Sequence, residues 1–406
     1  MTKARNISDL LDANGDVKST ALDNVPPSND ASALTTGTLP DARLSSAIVN
    51  QSAFKNIIIN GDMNIAQRGT SVSGITGSGY YTVDRFQTII GSQGTWTQSQ
   101  STDVPSGQGF TKSLKMDCTT ADASPSASDS LRIRQNIEGQ FLQYLKKGTA
   151  NAESITASFW TKSNKTGTYI FEIFDTDNAR YLSKTYTISS SNTWEKKTIT
   201  FEPDTSGTID NNNGGSFECT WWLGAGTNFT SGTLQTSWSS QNNANRAVGQ
   251  VNLADSTANE WYITGVQLEA GEASASDFEF LPYDVSFERC ERYFQYYHEI
   301  RLHAGLARIA DTGGIWTHSF YYRKPLRATP TKTYYDTDGA SGNQNRNRMM
   351  RLDSSNTTTT NLNHGFYENT NTDFAMNSYN TNTGLANYGD IGILTMYDFT
   401  ADAELG

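Results

Sequence analysis

The feature that most limits what this chain can fold into is a series of short stretches in which apolar residues fall at every second position. Each is closed off by a cluster of Gly, Asn, Asp or Ser. A period of two is the period of a strand with one buried face, whereas a helix needs 3.6. In residues 155–162, Ile155, Ala157 and Phe159 share one face, and Thr156, Ser158 and Trp160 share the other. Tyr169, Phe171 and Ile173 line up, as do Phe217, Cys219, Trp221 and Leu223. Leu131, Ile133 and Ile137 leave Arg132 and Arg134 outside, and Ile199 and Phe201 lie opposite Lys196 and Thr198. NIIIN (56–60) reads as a short apolar strand, and Gly265 within the apolar run 261–268 marks a bulge. The intervening SNKTG, DTDN and DTSGTIDNNNGG supply turn chemistry. Many short strands punctuated this way specify a sandwich or barrel.

Two regions depart from that texture. Residues 1–54 contain no Trp or Tyr and a single Phe, Phe54. A segment so poor in large apolar groups cannot bury a core alone, so it is an extended arm that is either disordered or ordered by contact with another chain, with room for a helical turn or two at ISDLLD. In 285–299, Phe287, Cys290, Phe294 and Tyr297 recur at three- and four-residue steps; this is the stripe of a short helix, although the aromatics also tolerate a strand. Beyond it, IWTHSFYYRK and IGILTMYDF are strand candidates on either side of a long Asn/Thr-rich tract. The expected fold is therefore mainly β. It has an arm over 1–55, a large jelly-roll-like sandwich over 56–284, then a short helix and a smaller β domain within 285–406.

Charge narrows the function. The net charge is −11 and no basic stripe is visible, so no nucleic-acid partner and no anionic membrane surface are expected. No apolar run reaches the roughly 18 residues that span a bilayer, so no membrane insertion is expected. The opening MTKARNISDLLDANG lacks a signal-peptide core, which points to folding in the cytosol. Cys118, Cys219 and Cys290 are far apart and without CxxC spacing, so neither a metal cage nor a disulfide framework is expected.

The sequence contains no GxSxG, HExxH, P-loop or GxGxxG pattern. His298, His303, His318 and His364 have no ligand spacing. The chain is expected not to be an enzyme and to use no cofactor. Asp/Asn clusters at 175–178 and 204–213 offer oxygens of the kind Ca²⁺ takes, but without EF-hand spacing. Turn formation accounts for both, and no metal is assigned. The eight tryptophans are more informative, because a planar ring stacks on the C–H face of a sugar. Alternation puts Trp221 in the core and sends Trp160 and Trp222 outward, while Trp238 sits in the polar TSWSSQNN. Trp160, Trp222 and Trp238 are the candidate carbohydrate-binding residues, set against packing of the same face on a second layer.

NIIINGDMNIAQRG (56–69), YYTVDRFQ (80–87), RIRQNIEG (132–139), ITASFWTKSNKTGTY (155–169) and NTWEKKTITFEPDTSGT (192–208) occur in that order. With WYITGVQLEAGEASASDFEFLPYDVSFERCERYF (261–294) they cover most of 56–294. The series resembles a domain that recurs in phage and prophage tail-fibre proteins. FYYRKPLRATPT (320–331) and DAEL (402–405) resemble the ends of such proteins, and TTGTLPDARLSS (35–46) resembles the linker before a fibre shaft. The resemblance implies a jelly roll like that of carbohydrate-binding modules, a homotrimer, attachment to a virion tail after assembly in the host cytoplasm, and recognition of host surface glycans. The arm would then dock on a tail adaptor or nozzle protein. A head fibre without receptor contact is the nearest alternative. A glycan depolymerase is a further one, although the β-helix period common in those enzymes is missing.

Overall fold

In a computed structural model the chain is described over 55–271, 275–298, 320–333, 370–373 and 399–405, and as backbone in further strands between 301 and 395. The arm expected over 1–55 lies, except for Lys55, outside the described residues.

Thirteen strands pair antiparallel into two sheets. The first runs β1 (Ser71–Ile75), β4 (Thr95–Ser101), β5 (Ser113–Thr120), β13 (Glu260–Ala270), β7 (Ile155–Ser163), β10 (Glu195–Phe201). The second runs β12 (Ser239–Ser240), β9 (Arg180–Ile188), β8 (Gly167–Asp175), β11 (Gly215–Ala225), β6 (Ser130–Glu138), β3 (Gln87–Gly91), β2 (Gly79–Tyr80). Their inner faces meet in one core. Phe159 of the six-stranded sheet packs edge-on against Trp221 of the seven-stranded sheet, with ring centres 5.8 Å apart, and Trp221 lies 4.8 Å from Phe171. Leu114, Met116, Leu131, Ile133, Ile173, Phe201 and Phe217 close around them. This is a β-sandwich, and the faces that alternation assigns inward are the faces that meet.

β13 shows how one residue re-aims a strand. Trp261 and Ile263 point inward; the register then slips between Thr264 and Gln267, and Val266 and Leu268 point inward instead. Gly265 sits in the slip at φ +61°, and a Cβ there would lie 2.5 Å from the Phe110 ring. The bulge expected at this glycine is present, and an aromatic ring lies directly over its backbone.

NIIIN is not a strand. Ile57, Ile58 and Ile59 are buried, but their backbone is satisfied piecemeal: Ile57 N–H donates to Leu268 O, Ile58 N–H to Asn56 Oδ1 and Ile59 N–H to Gln135 Oε1. The helical stripe is also shorter than expected. A single turn, α1 (Thr227–Thr230), precedes α2 (Tyr283–Glu291). Phe294 and Tyr297 belong to β14 (Phe294–Tyr297), because their backbone pairs with β24 (Phe399–Asp402). β24 also pairs with β18 (Thr331–Tyr334). Two further sheets are β15 (Arg301–His303), β23 (Gly392–Thr395), β19 (Arg348–Arg351), β20 (Thr358–Thr359), and β16 (Arg308–Ala310), β17 (Gly313–Tyr321), β22 (Asp373–Tyr379), β21 (Asn363–Tyr367).

The end of β24 and the residues after it pack into the sandwich. Arg85, 1% exposed, pairs with Glu404, donates to Asn136 O at 2.6 Å and lies 3.4 Å from the Tyr293 ring centre. Arg68 reaches Asp402 at 3.0 Å and Glu404 at 3.5 Å. The Leu405 carbonyl accepts from Tyr80 Oη and Asn136 Nδ2, and its side chain packs on Ile59, Ile65, Cys290 and Tyr293. Burial works against the charge on Arg85, but the Glu404 carboxylate outweighs it and holds the guanidinium above its ordinary pKa.

Candidate functional site

The three tryptophans singled out from the sequence have different surroundings. Trp222 does point outward from the seven-stranded sheet, but it is fully buried. The segment 226–250 folds over it, placing Phe229 5.2 Å and the Arg246 guanidinium 5.4 Å from its ring centre, while Arg132 of the neighbouring β6 lies 4.7 Å from it. With Ile170 and Ala247 it forms a second small core. It presents no face to a ligand, and the alternative of packing on a second layer holds for it. Trp238 is not free in a polar loop either. Its indole N–H donates to Glu202 O at 2.8 Å and its ring stacks 6.2 Å from Phe217.

Trp160 lies on the outer face of the six-stranded sheet and is half-buried, between Lys196 of β10 and Thr264 of β13. One row along, the register aligns Lys162 of β7, Tyr262 of β13 and Lys115 of β5, with Trp194 at the β10 edge. Trp194 packs edge-on to Tyr262 at 6.0 Å, and the Lys162 ammonium lies 4.4 Å from the Tyr262 ring centre and 5.8 Å from that of Trp194. The loop 102–112 crosses this face. Its Asp103 carboxylate pairs with Lys162 and accepts the Trp194 N–H at 2.9 Å, while Lys112 O accepts from Thr264 Oγ1 at 2.7 Å. Lys115 pairs with Glu260 at 2.7 Å and approaches Asp117 at 3.7 Å.

Burial raises the Asp103 carboxyl, but hydrogen bonds from Lys162 and Trp194 outweigh it and leave its pKa lowered. Tyr262 is pushed up to about 12, first by burial and then by the Glu260 charge, so it remains a phenol. Two indoles on one sheet face, flanked by oriented carboxylates and ammonium groups, can stack on sugar rings and exchange hydrogen bonds with hydroxyls. Periodicity does not single out Trp194 or Tyr262. Pairing Trp194 with Lys162 requires the β7–β10 register, which periodicity within one strand does not give.

The two Asp/Asn clusters meet. Asp175 ends β8, Asp204 follows β10, and both carboxylates contact the ammonium of Lys147. Among the described residues no group of three or more His, Cys, Asp or Glu side chains is arranged to hold a metal ion. No described helix is long and apolar enough to cross a membrane. His303, His318 and His364 lie where no side chain is described.

No family model and no curated protein matches the chain. Solved structures with a similar course include the enzymatically active domain of tailspike protein 4 from bacteriophage CBA120, at 13% identity and a TM-score of 0.29. That match covers 54% of this chain and 22% of the tailspike chain, so this chain spans about a fifth of the tailspike's length. A putative sugar-binding protein from Bacteroides thetaiotaomicron aligns at 12% identity and a TM-score of 0.28, over 53% of this chain and 99% of its own. A family 11 carbohydrate-binding module from Clostridium thermocellum, in complex with a mixed-linked β-1,3-1,4 tetrasaccharide, aligns at 11% identity and 0.24, over 51% and 98%.

Proposed function

We propose that this chain is a non-catalytic adhesion subunit of a phage tail fibre or receptor-binding protein, and that its sandwich holds host surface glycans on the outer face of the six-stranded sheet. The observation that carries the reading is the cross-strand group of Trp194, Lys162, Tyr262 and Asp103 beside Trp160. The motif resemblance supports the virion assignment.

The chemistry favours a neutral glycan. Lys162 and Lys115 are each matched by carboxylates, Asp103 for one and Glu260 and Asp117 for the other. An acidic sugar would have to displace those partners and approach a chain of net charge −11. Hydroxyl groups instead accept from the ammonium groups and donate to the carboxylates, while the ring faces cover the indoles. One such site is weak. Three copies in a homotrimer, anchored through residues 1–55 to a tail adaptor, bind repeated glycans with gain from effective concentration.

The test is adhesion of the full chain to host cells, with glycan retention measured in parallel. Trp160→Ala and Trp194→Ala together should abolish both while leaving the melting temperature within about 3 °C of wild type, since each ring is half-buried at the surface. Undiminished retention by the double variant would remove the platform from the proposal. Release of reducing ends from host polysaccharide would replace adhesion with depolymerisation.

A further inference from the structure

Three arginines and two glutamates meet on the outer face of the seven-stranded sheet, and one arginine is left over. Arg246 forks onto Glu172 at 2.5 and 2.9 Å. Arg134 pairs with Glu218 at 2.5 Å and donates to Gln87 Oε1 at 2.8 Å. Arg132, two positions along β6 and on the same face, has no carboxylate partner among the described residues. The strand register sets it between Trp222 of β11 and Ile89 of β3. Its guanidinium lies 4.7 Å from the Trp222 ring centre, a contact that leaves the charge unneutralised. The buried Nε of Arg132 and the buried indole N–H of Trp222 have no acceptor among the described residues. Arg132 and Ile89 are nevertheless only half-buried, so the position is open to solvent. Burial, and after it the Arg246 charge, draw the Arg132 pKa down to about 10, which still leaves a cation at neutral pH.

We infer that Arg132 anchors the carboxylate of an acidic sugar, making a second glycan subsite on the sheet opposite the Trp160 and Trp194 platform. The inference rests on the adhesion reading above for the ligand being a glycan; the charge it carries follows from the cluster itself. One unmatched positive charge calls for a monoanion, and a phosphate monoester would bring nearly two negative charges. A planar guanidinium fork matches a planar carboxylate with two parallel hydrogen bonds. Half-buried Ile89 on one side and Phe229 on the other give apolar surface for the ring that bears the carboxylate. Lys115 and Lys162 differ from Arg132 in that an acidic ligand would first have to displace their carboxylates, whereas here none stands in the way. The net charge of −11 does not oppose binding at this point, because salt screens charges beyond about 8 Å and the local excess is positive.

The experiment titrates the full chain with glucuronate, against glucose and acetate, and reads the melting midpoint. Glucuronate at about ten times a millimolar Kd should raise the midpoint by about 2 °C; glucose should leave it unchanged, and acetate, which has no ring, should give less than half the rise. Arg132→Met should abolish the rise. Without ligand it should melt no lower than wild type, because it keeps the stem and removes an unmatched charge. Arg132→Lys keeps the charge but loses the fork, and should bind glucuronate at least about tenfold more weakly. If Arg132→Met is insoluble, Arg132→Gln is carried through the same titration. Trp160→Ala with Trp194→Ala should keep the full glucuronate response, so failure of the tryptophan platform and failure of this subsite are read separately. A wild-type midpoint that glucuronate leaves unmoved overturns the inference, as does a rise that persists in Arg132→Met. An equal response to acetate overturns the assignment to a sugar. A change in light-scattering mass on Arg132→Met would give the residue to an interface between copies and overturn it as well.

Discussion

Replacing Glu404 by Gln keeps the shape of the side chain and removes its charge, which isolates the contribution of the buried ion pair to holding the 399–405 segment. Arg85 then loses its carboxylate but keeps Asn136 O and the Tyr293 ring face, and Arg68 keeps Asp402 and, at 3.8 Å, Asp84. Breaking a buried pair by removing one partner costs about 3–5 kcal/mol. The surviving contacts of both arginines put this case at the lower end, about 3 kcal/mol. Urea titration at neutral pH, followed by tryptophan fluorescence, should show a loss of that size. Amide exchange at Ala403, whose N–H donates to Tyr293 O at 2.8 Å, should accelerate by about two orders of magnitude if the loss is local. A second variant, Arg85→Met with Glu404→Gln, should recover part of the loss, since no guanidinium is left buried without its partner. A midpoint unchanged by Glu404→Gln, or strict additivity in the pair, would refute the reasoning.

Trp222→Ala should cost about 3–5 kcal/mol by leaving a cavity under the 226–250 segment, with glycan retention per folded molecule unchanged; loss of retention without loss of stability would return Trp222 to the binding site. Gly265→Ala should destabilise by about 2 kcal/mol or more, from the left-handed φ and the contact with Phe110, and by less in a Phe110→Leu background. For Asp204, burial raises the carboxyl, but hydrogen bonds from Arg180 and Lys147 outweigh it and leave its folded pKa below the unfolded value. Its stabilisation is therefore complete above about pH 4 and disappears as pH falls below the ordinary carboxylate range. Asp204→Asn should flatten that part of the acid-unfolding curve, and an identical curve would count against the assignment.

Alternation made the sandwich legible because each strand carries its own record of which side is buried. Phe217, Cys219, Trp221 and Leu223 illustrate this, since all four enter the core. What lies over an outer face leaves no such record. Trp160 and Trp222 are indistinguishable by alternation, yet one remains half-exposed and the other is covered by residues 226–250, whose composition reads as a loop. The same limit applies at NIIIN, where apolar content gave burial correctly but hydrogen bonding to side chains replaced the ladder. At Phe294 the spacing suited a helix, and pairing with a strand more than a hundred positions away decided otherwise. The meeting of Lys147 with Asp175 and Asp204 was equally hidden, because the three lie in separate segments.

The contacts of Arg68 and Arg85 with Asp402 and Glu404 span 334 and 319 positions. A ribosome adding about ten residues per second takes roughly half a minute to cover that distance. The last sandwich strand, β13, ends at Ala270, so only for roughly the final ten seconds are all the strands made and free to pair while two guanidinium groups still lack their carboxylates. Final closure therefore follows synthesis of residue 404, and a chain interrupted before it keeps an open slot lined by Ile59, Ile65 and Tyr293. Order of synthesis thus leaves the two buried arginines unpaired until the 402–404 segment is made.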